Sequence, residues 1–207
     1  MKKITFPQQQ SNPSFIGSWI IDPLLLCDEL IAYFEINTDK QKKGCTAKGV
    51  DTAIKNSIDI SLLPKELKHS DNRVFEKYFA SLFSCYQDYS TQWPFLTTFA
   101  KKLHIGTFNI QKYESGQHFQ SIHTERNCLE NAHRLFAWMT YLNDVDIKDG
   151  GSTFFTHYDL EIQPKKGLTL IWPAEWTHAH KGNLLHENSK YIITGWMHFP
   201  HIASEDS

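Results

Sequence analysis

The chain has 207 residues, 41% of them hydrophobic, with 21 lysines and arginines against 23 aspartates and glutamates. That length supports one good core, or one core with a helical extension, and a net charge of −2 without a basic stripe excludes the electrostatic footprint of a nucleic-acid binder. No apolar run approaches the roughly 20 residues that span a bilayer, Met1-Lys2-Lys3-Ile4-Thr5-Phe6-Pro7 lacks an apolar signal core, and Cys27, Cys45, Cys85 and Cys128 are too widely spaced for a zinc knuckle or disulfide framework, so the expectation is a single-domain cytoplasmic protein with free thiols.

Residues 1–18 are polar, carry Gln8-Gln9-Gln10-Ser11-Asn12-Pro13 and show no apolar period, which reads as a loosely attached lead-in. Asp22 before Pro23 matches an N-cap followed by proline at the first helical position, and Leu26, Leu30, Ile31 and Phe34 then recur at helical spacing. From Asn37 to Ser57 the chain is lysine-rich, broken by Gly44 and Gly49, and reads as a long surface loop and a candidate lid. After Leu62-Leu63-Pro64, Ser70 or Asp71 is placed to cap a second helix, whose Val74, Phe75, Tyr78, Phe79, Leu82, Phe83 and Tyr86 form one apolar face suited to the outside of a sheet. The first hundred residues therefore read as a helical buttress.

Beyond Phe95 the period changes to two. His104 to Tyr113 puts Thr107, Asn109, Gln111 and Tyr113 on one face, which suggests a wet cavity, and Phe108 and Ile110 on the other. Residues 134–142 are apolar on both faces, so that strand is expected to be central, with Tyr141 projecting inward. Asn143-Asp144 and Lys148-Asp149-Gly150-Gly151 are turn chemistry, Leu168 to Trp172 is a short buried strand, and the last strand runs from about Lys190 to His198. A regular last strand places Lys190, Ile192, Thr194, Trp196 and His198 on one face. An ammonium pointing into an apolar barrel needs an anionic partner. Several short strands after a helical section fit a mainly β, α+β protein built on a double-stranded β-helix, or jelly roll.

His123-Thr124-Glu125 carries the chemistry. On an extended strand its imidazole and carboxylate point to the same side, and one distant imidazole completes three ligands on one face of a metal. Such a set leaves positions open for a co-substrate and dioxygen, as a non-haem Fe(II) oxygenase requires. His178, His180 and His186 all compete for the third place, and alternation does not separate the first two.

The surrounding motifs are Tyr113-Glu114-Ser115-Gly116-Gln117, Tyr141-Leu142-Asn143-Asp144, Gly150-Gly151-Ser152-Thr153-Phe154, Pro164-Lys165-Lys166-Gly167, and His180 followed by Gly182, Lys190 and Trp196. In order and spacing they resemble the prolyl 4-hydroxylase-like branch of the Fe(II)/2-oxoglutarate-dependent dioxygenases, over residues 104–199. The resemblance implies His123, Glu125 and His180 as the metal ligands. It implies Lys190, helped by Tyr141, at the distal carboxylate of 2-oxoglutarate, with Tyr113 near the co-substrate and Trp196 in the same cofactor-binding group. It also implies oxidative decarboxylation of 2-oxoglutarate to succinate and CO2 coupled to hydroxylation of an unactivated C–H bond, in a prolyl or other residue of a peptide or in a small molecule. Fe(II) and 2-oxoglutarate are the expected cofactors, with ascorbate a further candidate. Glu125 departs from the aspartate usual in that branch. The expected layout is one domain over 1–207, with a helical section at 1–100, an oxygenase core at 101–199 and a polar tail at 200–207. A cupin-like metal-binding jelly-roll module without oxygen chemistry explains the three ligands equally well, but not Lys190, Tyr141 and Tyr113 together.

Overall fold

The computed structural model describes residues 1–3, 13–46, 49–68 and 73–200. Residues 4–12 of the expected lead-in (1–18), the expected helix cap at Ser70 or Asp71 and the tail beyond 200 lie outside the described residues. The described parts of the lead-in are not loosely attached, since Lys2 and Lys3 pair with Ile20 and Trp19, and Gly17 and Ser18 with Ile171 and Leu170.

The architecture follows from strands that are apolar on both faces. In β13 (Ser189–His198), Ile192 and Trp196 join one core while Ile193 and Met197 join another. β8 (Arg134–Tyr141) divides in the same way, with Ala137, Met139 and Tyr141 inward and Phe136 and Trp138 outward. Such strands must be covered on both sides, and they lie at the middle of the major sheet. Among the described residues that sheet has nine strands, with path β1 (Lys2–Lys3), β2 (Gly17–Ile20), β11 (Leu168–Pro173), β8, β13, β6 (Phe108–Glu114), β4 (Ile58–Leu62) and β3 (Lys42–Lys43), while β5 (His104–Ile105) pairs with β13. The minor sheet runs β10 (Leu160–Ile162), β9 (Thr153–Phe155), β12 (His180–Gly182) and β7 (Phe119–His123). The pairs are antiparallel, and a core containing Tyr113, Tyr141, Leu170 and Ile192 from the major sheet and Phe155 and Ile162 from the minor one lies between them. This is the expected double-stranded β-helix.

The outer face of the major sheet is closed by α1 (Leu25–Ile36) and α2 (Arg73–Gln92), with the short α3 (Leu96–Phe99) beyond them. α2 buries Phe75, Tyr78, Leu82, Cys85 and Tyr89, and its aromatic rings meet the sheet edge-on or tilted: Phe75–Phe108 at 5.4 Å, Tyr78–Trp138 at 5.9 Å and Tyr89–Phe136 at 5.4 Å. Pairs of this kind are worth about 0.5–1.5 kcal/mol each beyond their buried area. Tyr78 is too deep to leave its hydroxyl unpaired, and that hydroxyl shares a 2.8 Å hydrogen bond with Thr140. Phe83 does not belong to this face and is 57% exposed, because the buried stripe turns away from it through Leu82, Cys85 and Tyr89.

Several expectations for the first hundred residues need correction. The section is not purely helical, since β2 pairs with β11 and β4 with β6, so it flanks the core strands from both sides. α1 begins at Leu25, without a side-chain cap from Asp22. The 37–57 segment is more than a surface loop. It contains β3 and a bridge from Asn56 to His118, and it buries Lys55 and Ser57. The cause is Asp59, which accepts from Lys55 Nζ at 2.6 Å, Ser57 Oγ at 2.7 Å and Gln111 Nε2 at 3.3 Å. The expected strand 104–113 is interrupted at Gly106, where a β-carbon would come within 2.8 Å of His198 Nε2. No helix among the described residues is long and apolar enough to cross a membrane.

Removing one partner of a buried ion pair strands the other charge, at about 3–5 kcal/mol. Asp59→Ala is therefore expected to lower unfolding free energy in urea by about that much, and the double change Lys55→Met/Asp59→Leu is expected to recover most of it.

Candidate metal centre

The site is set by strand register. β12 pairs with β7 so that His180 lies directly opposite His123, and Glu125 follows two positions after His123. Each imidazole is oriented by a backbone carbonyl: His123 Nδ1 donates to Ser121 O at 2.8 Å and His180 Nδ1 to His178 O at 2.9 Å. The tautomer those bonds assign leaves both Nε2 lone pairs facing Glu125 Oε1, at 3.8 Å for His123 and 3.4 Å for His180. The three ligand atoms all lie within 4.8 Å of one another.

Burial, reinforced by neighbouring His180, pushes the His123 pKa down to about 4, so this ring is neutral at neutral pH. Burial alone would favour a protonated Glu125, but the hydrogen bond and positive charge that His180 and His123 offer when protonated, with the Trp196 indole N–H, outweigh it and hold the carboxyl well below the usual range. Three acceptor groups thus converge with no proton assigned between them. That is a poor arrangement for an isolated protein and a good one for a divalent cation, whose imidazole ligands characteristically donate their other nitrogen to a carbonyl. Aromatic rings fix the imidazoles further. Phe119 stacks on His123 at 3.8 Å, and Phe155 and Trp172 stand 5.3 Å and 5.2 Å from His180.

The other candidate histidines are engaged elsewhere. His178 sits in a tight turn, Trp176–His178, rather than on a strand, and its Nε2 donates to Ser14 O at 2.8 Å. His186 lies near Gly150, and its carbonyl accepts from Ser115 Oγ. Asp144 and Asp146 are exposed turn residues, accepting from the backbone N–H groups of Lys166 and Lys148.

Lys190 points into the barrel and is only 3% exposed. Its ammonium donates to Gly151 O at 2.8 Å and lies 4.4 Å from the Tyr113 ring, with no carboxylate partner among the described residues. Burial lowers its pKa to about 7. Gly151, at φ +70, adopts a backbone conformation that favours glycine, and a β-carbon there would press on Leu185 at 2.9 Å. Tyr141 is buried beside the inner core and donates to Thr153 Oγ1 at 2.6 Å, while Tyr113 donates to Gln111 Oε1 at 2.9 Å. Trp196 shares the face of Lys190 but reaches the metal end, where Nε1 donates to Glu125 Oε2 at 2.7 Å. Sequence reasoning missed Arg134, whose guanidinium stacks 3.6 Å from the Trp196 ring centroid, as well as Lys55 and Asp59 beneath Tyr113 and Phe119. A usable signal for Arg134 was its rarity, as one of three arginines in a lysine-rich chain.

Fold and site together define a double-stranded β-helix with a two-histidine, one-carboxylate cluster in its mouth. Residues 108–198, the segment that carries the cluster, match the family model of the 2OG-Fe(II) oxygenase superfamily. No curated protein matches this chain in sequence. Among solved structures, the chain is similar to a viral collagen prolyl hydroxylase from Paramecium Bursaria Chlorella virus-1, in complex with 2OG (TM-score 0.61, 17% identity, 90% of this chain and 97% of that one). It is also similar to a Pseudomonas putida prolyl-4-hydroxylase (0.68, 15%, 90% and 94%). A third is a Trichoplax adhaerens prolyl hydroxylase in complex with a hypoxia inducible factor oxygen degradation domain peptide fragment (0.70, 13%, 90% and 84%). The likeness to these prolyl hydroxylases is one of fold.

Glu125→Ala and His180→Ala are expected to abolish Fe(II) binding in an anaerobic titration while leaving the far-UV circular dichroism unchanged. His178→Ala is expected to keep the metal and to lose about 0.5–1.5 kcal/mol of stability, because it removes the hydrogen bond to the half-buried Ser14 carbonyl. Loss of metal from His178→Ala alone would reverse the ligand assignment.

Proposed function

We propose that the protein is an Fe(II)/2-oxoglutarate-dependent dioxygenase that hydroxylates an unactivated C–H bond, in a prolyl or other residue of a peptide. The observation that carries this reading is Lys190. A fully enclosed ammonium with one carbonyl for a partner is costly unless an anion joins it, and a metal cluster alone has no use for it. His123, Glu125 and His180 would hold the iron, and Lys190 would receive the distal carboxylate of the co-substrate. For Tyr141 to donate to that carboxylate its bond to Thr153 must reverse, with the threonine hydroxyl donating to the phenol oxygen, an exchange available to two hydroxyl groups. Bound Fe(II) and 2-oxoglutarate supply the oxidation, in which one atom of dioxygen enters the substrate and the other enters succinate as CO2 leaves. The protein orients the ligands, anchors the co-substrate and excludes bulk water through the apolar inner core. No side chain is required as a general acid or base. The peptide substrate is supported by the likeness to prolyl hydroxylases, one of them in complex with a peptide fragment.

The test is anaerobic addition of Fe(II) and then 2-oxoglutarate, followed by visible absorption. A charge-transfer band that needs both components and weakens in Lys190→Ala is the expected result. Iron binding without such a band would leave a metal-binding jelly roll and remove the oxygenase reading.

The Lys190 pKa of about 7 adds a pH signature. An anion favours the protonated amine and raises its pKa, so co-substrate affinity is full below about pH 7. It falls as the pH rises, by up to about tenfold per unit, until the pKa of the complex is reached. Calorimetry at pH 8 in buffers of different ionisation enthalpy is expected to show proton uptake on binding, absent in Lys190→Ala.

A further inference from the structure

Glu125 is one methylene longer than the aspartate usual at its position, and the structure contains a device fitted to that length. The backbone around it is fixed: Arg134 Nη1 donates to Glu125 O at 3.0 Å, Arg126 N–H to Ala174 O at 3.1 Å and Thr124 Oγ1 to the same Ala174 carbonyl at 2.9 Å. From that fixed point the side chain meets two anchors at once. Oε1 faces the two imidazole Nε2 atoms and Oε2 accepts the Trp196 indole N–H at 2.7 Å. The indole is itself immobilised, with the guanidinium of Arg134 3.6 Å from its ring centroid. Arg134 therefore acts on both ends of the glutamate, directly on its carbonyl and through Trp196 on its outer oxygen.

Resting on the metal-binding reading above, we infer that Trp196 and Arg134 are positioning residues that hold the outer oxygen of Glu125 away from the metal, so that this glutamate presents a single ligand oxygen. A carboxylate on a flexible arm can offer one oxygen or two, and a second oxygen would occupy a coordination position that a co-substrate or dioxygen needs. The indole removes that option by occupying Oε2. An aspartate on the same fixed backbone is shorter by one carbon–carbon bond, about 1.5 Å, and reaches only one of the two anchors. In this chain the commoner residue is thus the poorer ligand.

Co(II) is the probe, because its visible ligand-field bands report coordination without turnover. The full chain and its Trp196→Phe, Arg134→Lys and Glu125→Asp variants are titrated anaerobically, and the thermal unfolding of each metal-free protein is recorded beside them. Outer-sphere partners of metal ligands affect affinity by about 10–100-fold. Trp196→Phe is expected to weaken Co(II) binding within that range and to shift the bands. Arg134→Lys, which keeps the charge but not the stacking plane, and Glu125→Asp are expected to weaken it in the same direction. A merely structural tryptophan would lower the metal-free melting temperature and leave the bands in place. Unchanged affinity and bands in Trp196→Phe, or Glu125→Asp binding as tightly as the parent, overturns the inference. If Trp196→Phe does not fold, the other two variants decide it. Failure of the parent chain to bind Co(II) overturns the metal reading, and this inference with it.

Discussion

Everything at the site depends on one strand register, the pairing of His180 with His123 across β12 and β7. Residues directly opposite on antiparallel strands keep their β-carbons about 4.5–5.5 Å apart, close enough for two imidazoles to share a cation and too close for two imidazolium ions to be tolerated. A slip by one residue would turn one ring to the outside of the barrel. The register is protected by the same pairing on the other side of β12, where His180 also lies opposite Phe155 in β9, and by the stacking of Phe119 on His123. The backbone carbonyls of Ser121 and His178 complete the arrangement by deciding which nitrogen of each ring faces the centre.

β13 connects that metal end to the rest of the protein. Its inner face carries Lys190 at depth and Trp196 near the mouth, while its outer face contributes Ile193 and Met197 to the core beneath α1 and α2. The same strand therefore serves both ends of the cavity and both cores of the fold. Packing from the helices fixes its height, and the alternation of the strand converts that height into the positions of the lysine and the indole. The buried set Lys55, Asp59, Gln111 and Tyr113 does the corresponding work from the opposite side, linking the N-terminal section to the ring beneath the Lys190 ammonium.

How much of this was legible in the sequence depended on the length over which a period could be read. β8 and β13 were clear, because eight and ten residues of strand display two faces unambiguously. β2 and β4, at four and five residues, were not, since short segments become strands through their partners rather than their own pattern. His178 and His180 look equivalent by alternation, and only the tight turn ending at His178 separates them. That turn has no strong local signature. Lys55 in a lysine-rich stretch reads as solvated, and its burial depends on Asp59 and Gln111, which come from strands yet to be paired. The ligand spacing and Lys190 were legible through the family pattern, whereas the Trp196–Glu125–Arg134 contacts required three-dimensional proximity.

The place of β13 between β8 and β6 bears on how the molecule is made. It is the last strand in chain order among the described residues, yet it fills the middle of the major sheet. Until it emerges from the ribosome, β8 with β11 and β2 forms one fragment and β6 with β4 and β3 another, each with a bare hydrogen-bonding edge where β13 belongs. Such edges invite pairing with foreign strands. Between the completion of β11 and the arrival of β13 the nascent chain therefore carries two unfinished half-sheets, and the strand bearing Lys190 both seals them together and creates the interior in which that lysine is buried.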